Sequence, residues 1–88
     1  MSHQFQRTPI SKAIRTSGEG HGIVAQSDSI VVWAHRRRVG DPGRRSYHVY
    51  FTATRVLSHD VPRKTEEIRL PDSCRSNLDK VLAFLEKL

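Results

Sequence analysis

The chain is poor in features on which many other protein classes depend. It has a single cysteine, Cys74, so it cannot form an intramolecular disulfide, and a reducing compartment is the simpler expectation. Its apolar runs are only a few residues long, which excludes a membrane-spanning helix. Residues 1–7 lack the apolar segment of a signal peptide. We therefore expect an intracellular protein, cytoplasmic or nucleoid-associated, with no membrane partner.

Acidic residues are also scarce relative to basic ones. The chain contains 15 Lys and Arg against 9 Asp and Glu, which gives a formal net charge of +6. Such an excess attracts polyanions but says nothing about the fold. A chain of 88 residues forms one small domain, and a domain of that size buries only about 60% of its unfolded surface. A homodimer would add to this small core.

Motifs for catalysis or cofactor binding are missing. No nucleophile is paired with an activating base, and the glycine-containing segment 18–22 lacks the lysine and following helix of a nucleotide-binding loop. His35 and His48 are predicted to face each other across a hairpin, yet no third ligand has a suitable spacing for zinc. We expect neither an enzyme nor a metal or cofactor site.

The first twenty residues differ in composition from the rest. Residues 1–20 are polar, and Thr8-Pro9 can begin a short helix that carries Ile10, Ala13 and Ile14 on one face. We expect residues 1–20 to be a flexible or partly helical arm. Residues 21–88 then form a single α+β domain.

Four segments of this domain are rich in β-branched and aromatic residues, and a helical pattern follows them. The strands are expected at residues 23–25, 30–35, 46–57 and 66–70. Asp72 or Ser73 can cap the helix. Its apolar stripe consists of Cys74, Leu78, Val81, Leu82, Leu85 and Leu88. The expected fold is α+β: an antiparallel four-stranded sheet with a long basic hairpin and one C-terminal helix packed on it.

Phe84 lies beside this stripe and widens the apolar surface of the helix beyond what one sheet needs. Val81, Phe84 and Leu88 are therefore the predicted homodimer interface. Cys74, on the stripe itself, is expected to be a small buried hydrophobic residue rather than a nucleophile.

The hairpin carries the most informative pattern in the chain. Five arginines surround the turn Gly40-Asp41-Pro42-Gly43, and the tip contains no lysine. These are Arg36, Arg37, Arg38, Arg44 and Arg45. Arginine is favoured where phosphate is bound through two parallel hydrogen bonds. The tip therefore predicts a polyanionic partner, although a solvated tip or an acidic protein surface is also compatible with it.

The turn also predicts which residues share a face of the sheet. A loop of two or four residues within Gly40–Gly43 pairs Val39 with Arg44. One face is then apolar and consists of Ile30, Val32, Ala34, Val49, Phe51 and Ala53, with Tyr47 opposite Arg36. The other is aromatic and basic and consists of Val31, Trp33, His35, Arg37, Ser46, His48, Tyr50 and Thr52.

This second face suits unpaired bases. Trp33 and Tyr50 would lie side by side there, and aromatic rings stack on bases while arginines hold the phosphates. The alternative is that Trp33 and Tyr50 only form a stabilising cross-strand pair.

The order of the elements resembles the repeat of Pur-alpha proteins and the wider Whirly-like group of single-strand nucleic-acid binders. The phrase Ile68-Arg69-Leu70-Pro71 followed by a helix containing Leu78 to Leu88 is similar to the end of that repeat. The resemblance covers residues 22–88. It implies binding of single-stranded DNA or RNA on the sheet and the pairing of two repeats, so that a chain with one repeat would form a homodimer.

The sequence therefore predicts a non-catalytic protein that binds single-stranded nucleic acid. The residues expected to bind it are Trp33, His35, Arg36, Arg37, Arg38, Arg44, Arg45, His48 and Tyr50. One alternative is a small interaction module or inhibitor that docks its basic hairpin on an acidic protein. Another is a double-strand binder that places the hairpin in a groove as a β-ribbon.

Overall fold

A computed structural model describes residues 4–41, 43 and 46–88. Within these residues the chain forms an antiparallel five-stranded sheet in which the strands lie in chain order. The strands are β1 (Gln6–Arg7), β2 (Gly20–Gln26), β3 (Ile30–Val39), β4 (Ser46–Ser58) and β5 (Lys64–Ile68). The helices are α1 (Ile10–Ala13) and α2 (Leu78–Glu86), and Asp72–Cys74 forms a 3₁₀ turn.

The α+β class, the antiparallel sheet and the C-terminal helix confirm the predicted fold class. The additional strand is β1, in which Gln6 pairs with Gln26 and Arg7 with Ala25. A strand of two residues has no apolar alternation, so β1 could not be predicted from the hydrophobic pattern.

Alternation along β3 and β4 separates the two faces of the sheet. Ile30, Val32 and Ala34 are buried, while Val31 and Trp33, which lie between them, are partly exposed. The buried face is covered by α2 and the segments near it, which contribute Ile14, Leu70, Cys74, Val81 and Leu85 to the core. Successive residues of a strand point to opposite faces. One face of the sheet therefore belongs to the core, and no part of the chain that the structure describes covers the other.

The final helix begins later than the sequence indicates. Asn77 is its N-cap, and the side-chain oxygen of Asn77 accepts a hydrogen bond from the Lys80 N–H at 3.2 Å. The prediction of Asp72 or Ser73 as the cap is wrong, because the chain makes a 3₁₀ turn there before α2 starts. Cys74 lies in that turn and is buried, which confirms its predicted role as a small hydrophobic residue.

Two strands have different bounds from those predicted. β5 starts and ends two residues earlier than the predicted segment 66–70. Leu70 is buried outside the strand, because the chain there turns under the sheet into the core. β2 is longer than the predicted 23–25 and extends back to Gly20. None of the helices in the described ranges is long and apolar enough to cross a membrane.

The N-terminal segment lies against β2. The Thr8 N–H donates to the Val24 carbonyl at 2.9 Å, and Ile14 is buried in the core. α1 approaches the backbone of Gly22 so closely that a Cβ atom at this position would lie 2.0 Å from the Ala13 carbonyl oxygen. Only glycine fits at this contact.

The β3–β4 hairpin has a wider loop than predicted. Val39 pairs with Ser46, so the loop contains residues 40–45, and the predicted pairing of Val39 with Arg44 is wrong. The backbone leaves strand geometry at Gly40, which has a φ of 92°. The predicted loop residue Pro42 lies outside the described residues, as do Arg44 and Arg45. The loop still holds an even number of residues, so each side chain keeps its predicted face while its partner shifts by two.

Candidate nucleic-acid interface

The uncovered face of the sheet carries most of the predicted binding residues. We call this surface the open face. It is formed on the side opposite α2 by His21, Trp33, His35, Arg37, His48 and Tyr50, which come from β2, β3 and β4. Their placement follows from the period of two along each strand.

Four of these side chains form a continuous row of rings. His35 pairs directly with Tyr50 across the two strands, with ring centroids 4.9 Å apart and planes within 12°. His21 stacks on the other side of His35 at 6.0 Å. His48 stacks on Tyr50 at 5.9 Å. The order His21, His35, Tyr50, His48 is the ring row, and it runs across three strands.

Hydrogen bonds hold the middle of the ring row in place. Nε2 of His35 and Oγ1 of Thr52 are 2.8 Å apart. Nε of Arg37 donates to the Tyr50 hydroxyl at 3.1 Å. This hydrogen bond keeps the exposed guanidinium of Arg37 beside the rings. The arrangement places a permanent positive charge at the border of an aromatic surface.

The position of Trp33 differs from the prediction. Trp33 pairs with Ile23 on one side and Thr52 on the other, so its predicted place directly opposite Tyr50 is wrong. The shift of two residues in the hairpin register puts His35 there instead. The Trp33 ring lies 5.8 Å from His21 and is tilted by 50° to it. Trp33 therefore extends the aromatic surface from the His21 end of the ring row.

This geometry determines where a flat base can stack. His35 has His21 and Tyr50 as ring neighbours, and Tyr50 has His35 and His48, so both stand inside the ring row. His21 and His48 are at the ends of the ring row and are exposed. A base can therefore continue the stack at either end. The middle of the row offers ring edges and the Nδ1 of His35 for hydrogen bonds, because the Nε2 of His35 already contacts Thr52.

The electrostatics of the face disfavour a charged His35. Burial lowers the pKa of His35 from its usual value, and the nearby His21 and Arg37 lower it further. Burial penalises the charged imidazole, and the neighbouring positive charges repel it. The neutral form of His35 is thus favoured at the centre of the ring row, beside the fixed charge of Arg37.

The predicted arginines do not act as one group. Arg36 is on the helix side of the sheet, where its Nε donates to the Gly18 carbonyl at 2.7 Å and its Nη2 donates to the Thr16 carbonyl. Its guanidinium also lies 5.9 Å from the centre of the Tyr47 ring. Arg36 therefore fastens the 16–18 segment to the sheet. Tyr47 pairs with Arg38, not with Arg36 as predicted.

The remaining predicted cations have different positions. Arg38 is exposed near the end of β3, on the same side of the sheet as Arg36. Arg44 and Arg45 lie outside the described residues. Of the five arginines, Arg37 is thus the one that the structure places beside the ring row, and Arg36 is the one that it uses to hold a loop.

The predicted dimer residues occupy three different environments. Val81 is fully enclosed by its own chain, so it leaves no surface for a second copy. Phe84 is half-buried against the core, and Leu88 is 52% exposed. A homodimer through this end of α2 stays a prediction.

The histidines are also arranged differently from the prediction. His35 faces Tyr50, and His48 faces Arg37, so the two histidines are not opposite each other. Across the described ranges, no group of three or more histidine, cysteine or acidic side chains is placed to hold a metal ion.

His21 is the residue that sequence reasoning missed. It lies between Gly20 and Gly22, in a segment that looks like a turn because glycine is depleted in strands. His21 could have been predicted from the period of two. If the strand is extended back by two residues, His21 lies on the same face as Ile23, which is the open face.

Comparisons with known proteins add no relatives. No protein-family model, no curated protein and no solved structure matches the chain. The resemblance to the Pur-alpha repeat therefore stays a prediction, and function has to be argued from the open face itself.

Proposed function

We propose that this protein binds single-stranded nucleic acid on the open face and catalyses no reaction. The observation that supports the proposal is the ring row, which lies on an uncovered sheet face with Arg37 at its border. Aromatic platforms beside basic groups are how sequence-tolerant single-strand binders hold bases and backbone together.

The contacts available on this face favour single strands over duplexes. Bases extend the stack at His21 and His48 or rest on Trp33, and each such stack contributes about 1–3 kcal/mol. A duplex keeps its bases stacked on each other, so their faces are not accessible to these rings. The edges of His35 and Tyr50 can meet the hydrogen-bonding edges that unpaired bases expose.

Most of the affinity is expected to be electrostatic. Arg37 and Arg38 are exposed, and the net charge of the chain is +6. About four to six phosphate contacts would give a log–log dependence of affinity on salt with a slope of about −3 to −4 for single strands. The slope of log affinity against log salt concentration therefore gives the number of phosphates that basic side chains contact.

The test measures Trp33 fluorescence during titration with short single-stranded and double-stranded DNA and RNA at two salt concentrations. We expect single strands to quench the fluorescence and to bind more tightly than duplexes. His48→Ala removes one exposed end of the ring row and should weaken binding about fivefold to tenfold. The matched control is His59→Ala, which removes an exposed histidine in the connection that follows β4.

The proposal fails if no single strand binds at about 50 mM salt, where electrostatic contacts are strong. Stronger binding of duplexes would favour the β-ribbon alternative. Equal losses from His48→Ala and His59→Ala would show that charge attracts the nucleic acid without any contribution from the ring row.

A further inference from the structure

A second surface of the protein is the outer edge of β4. β5 pairs only with the Ala53–Ser58 part of β4, and no described strand lies beyond Ser46–Thr52 on that side. The Phe51 N–H donates to the Arg75 carbonyl at 2.8 Å and so points away from β3. Alternate residues of an antiparallel strand direct their N–H and C=O groups to the same side. Tyr47 and Val49 therefore present these groups outward, and we call these two residues the β4 edge.

Apart from the chain at Arg75, which covers this side of β4 at Phe51, the β4 edge lacks the devices that usually protect a sheet edge. Natural edges are blocked by lysine, proline, inward-pointing charges or bulges. The stretch Ser-Tyr-His-Val-Tyr-Phe-Thr at 46–52 contains no lysine, proline or acidic residue. Its pairing with β3 is continuous over the whole of Ile30–Val39, without a bulge. An edge of this kind is a ready template for one more strand.

Two depressions adjoin this edge. One is a cleft on the helix side, where Val49 and Phe51 form the floor and Ile10 and Leu78 contribute to the walls. The other lies where β5 leaves β4, beside Thr52 and Arg69. A strand added to the β4 edge would direct every second side chain toward the cleft at Val49. Apolar side chains in these positions would fill it.

The charges around the edge indicate which kind of chain it accepts. Arg75 and Arg69 are exposed near one end of the edge, with Glu67 and Asp72 as their acidic neighbours. Arg38 is exposed near the other end, where Tyr47 is its cross-strand partner. Nε of Arg75 lies 3.5 Å from an Asp72 carboxylate oxygen and donates to the Leu70 carbonyl at 3.3 Å. The Arg75 side chain is 51% exposed, so its guanidinium can still meet a second anion. An antiparallel second copy would bring the basic hairpin of one chain beside Arg75 of the other, which like charges disfavour.

We propose that the β4 edge binds an extended acidic segment of a partner protein by strand addition. The backbone of that segment exchanges hydrogen bonds with Tyr47 and Val49. Its apolar side chains alternate into the cleft beside Val49. The acidic residues that meet the arginines are those at the two ends of the segment, beyond the residues that pair with the edge. This mode takes affinity from main-chain hydrogen bonds and specificity from alternate side chains. The main-chain contacts of this site are separate from the open face and do not depend on nucleic-acid binding. Arg38 is the cation that both proposals use.

Amide hydrogen exchange measured by NMR tests the proposal on the unmodified protein. The probe is the end-capped peptide Glu-Val-Glu-Val-Glu-Val-Glu, and the control is the same peptide with lysine in place of glutamate. In the free protein we expect fast exchange at Tyr47 and Val49 and slow exchange at Phe51, whose N–H is bonded to Arg75. A saturating concentration of the acidic probe should slow exchange at Tyr47 and Val49 by about tenfold or more.

A variant adds a second, independent measurement. Val49→Pro removes one outward N–H, and proline is accepted on an edge strand where its nitrogen faces solvent. The affinity for the acidic probe, measured by fluorescence anisotropy, should fall about tenfold, while oligonucleotide binding is retained. His48→Ala is the matched control on the same strand. Its side chain is on the open face, so it should weaken oligonucleotide binding and leave the affinity for the acidic probe unchanged.

Three outcomes would overturn the proposal. Unchanged exchange at Tyr47 and Val49 with the acidic probe would show that the edge does not bind it. Protection that rises with protein concentration without any probe would show that a second copy occupies the edge. Protection of these two amides by a single-stranded oligonucleotide would assign the edge to the nucleic-acid site instead.

Discussion

The two faces of the same sheet differ in what their side chains are used for. On the helix side, consecutive inward positions of β3 are Ile30, Val32 and Ala34, each at most 1% exposed. On the open face, the positions between them include Trp33 and His35, which are only half-buried. Stability is thus concentrated on one face, while the groups that can contact a ligand stand on the other, supported by a rigid strand.

The neighbouring arginines show the same division. Arg36 donates two hydrogen bonds to backbone carbonyls on the helix side, whereas Arg37 donates to Tyr50 on the open face. Identical side chains on adjacent positions therefore have different roles. The side of the strand on which an arginine lies determines whether it holds the fold together or is available to a partner.

The largest difference between the faces is expected in the free energy of unfolding that valine-to-alanine changes remove at neighbouring positions of β3. Val32 is fully buried on the helix side, and Val31 is half-buried on the open face. Val32→Ala should lower the free energy of unfolding by about 2–3 kcal/mol, because it removes two buried methyl groups and leaves a cavity. Val31→Ala should lower it by less than about 1 kcal/mol.

Urea denaturation followed by circular dichroism measures both variants. The m-value should stay the same in each, so that the midpoints report stability directly. Equal losses for Val31→Ala and Val32→Ala would mean that the open face is covered in solution, for example by a second copy of the chain.

A smaller but more specific contrast is expected at the arginine pair. Arg36→Ala should cost about 1–2 kcal/mol of unfolding free energy, because the carbonyls of Thr16 and Gly18 lose their donor. It should leave oligonucleotide affinity largely unchanged once the variant is folded. Arg37→Ala should have little effect on stability, weaken oligonucleotide binding, and reduce the steepness of the salt dependence by about 0.7.

Denaturation and salt-dependent anisotropy on the same two samples separate these effects. Each variant is the control for the other, since both remove one guanidinium from adjacent positions. A loss of binding in Arg36→Ala equal to that in Arg37→Ala would show that the hairpin attracts nucleic acid by charge alone. It would also remove the distinction between the two faces for this part of β3.

The separation of the faces is the part of the structure that sequence reasoning predicted best. The period of two along residues 30–39 and 46–57 assigns every side chain to a face as long as the loop between them holds an even number of residues. The wider loop at residues 40–45 keeps this parity, so Val49, Phe51 and Ala53 remain on the helix side. The assignment of faces is a robust inference because it depends only on whether the loop holds an even or an odd number of residues, not on how long the loop is.

The cross-strand partners were not predictable in the same way. Glycine adopts positive φ in tight turns and in longer loops alike, so Gly40 and Gly43 do not indicate the loop length. Both have positive φ in the structure. The resulting shift by two moved Tyr50 from Trp33 to His35 and created the ring row. The start of α2 escaped prediction for a related reason, since Asp72, Ser73 and Asn77 are all acceptable caps and tertiary packing selects among them.

The smallest expected effect is a pH dependence that originates on the open face. The pKa of His35 is lowered in the folded protein by burial, by His21 and by Arg37. The unfolded chain therefore binds the proton first as the pH falls. This contribution to stability is present above the usual histidine pKa of 6.5 and is lost as the pH decreases through the folded value below it.

The measurement is the free energy of unfolding in urea between about pH 8 and pH 5. We expect it to decrease toward acidic pH, and His35→Gln should make that decrease shallower, because the imidazole that the folded state protonates poorly is gone. His59→Gln is the control for the loss of one histidine at an exposed position outside the sheet. A parent slope that persists in His35→Gln would place the acid sensitivity elsewhere. It would mean that protonation of His35 does not destabilise the ring row. That result would contradict the expectation that burial and the neighbouring Arg37 disfavour a charged His35.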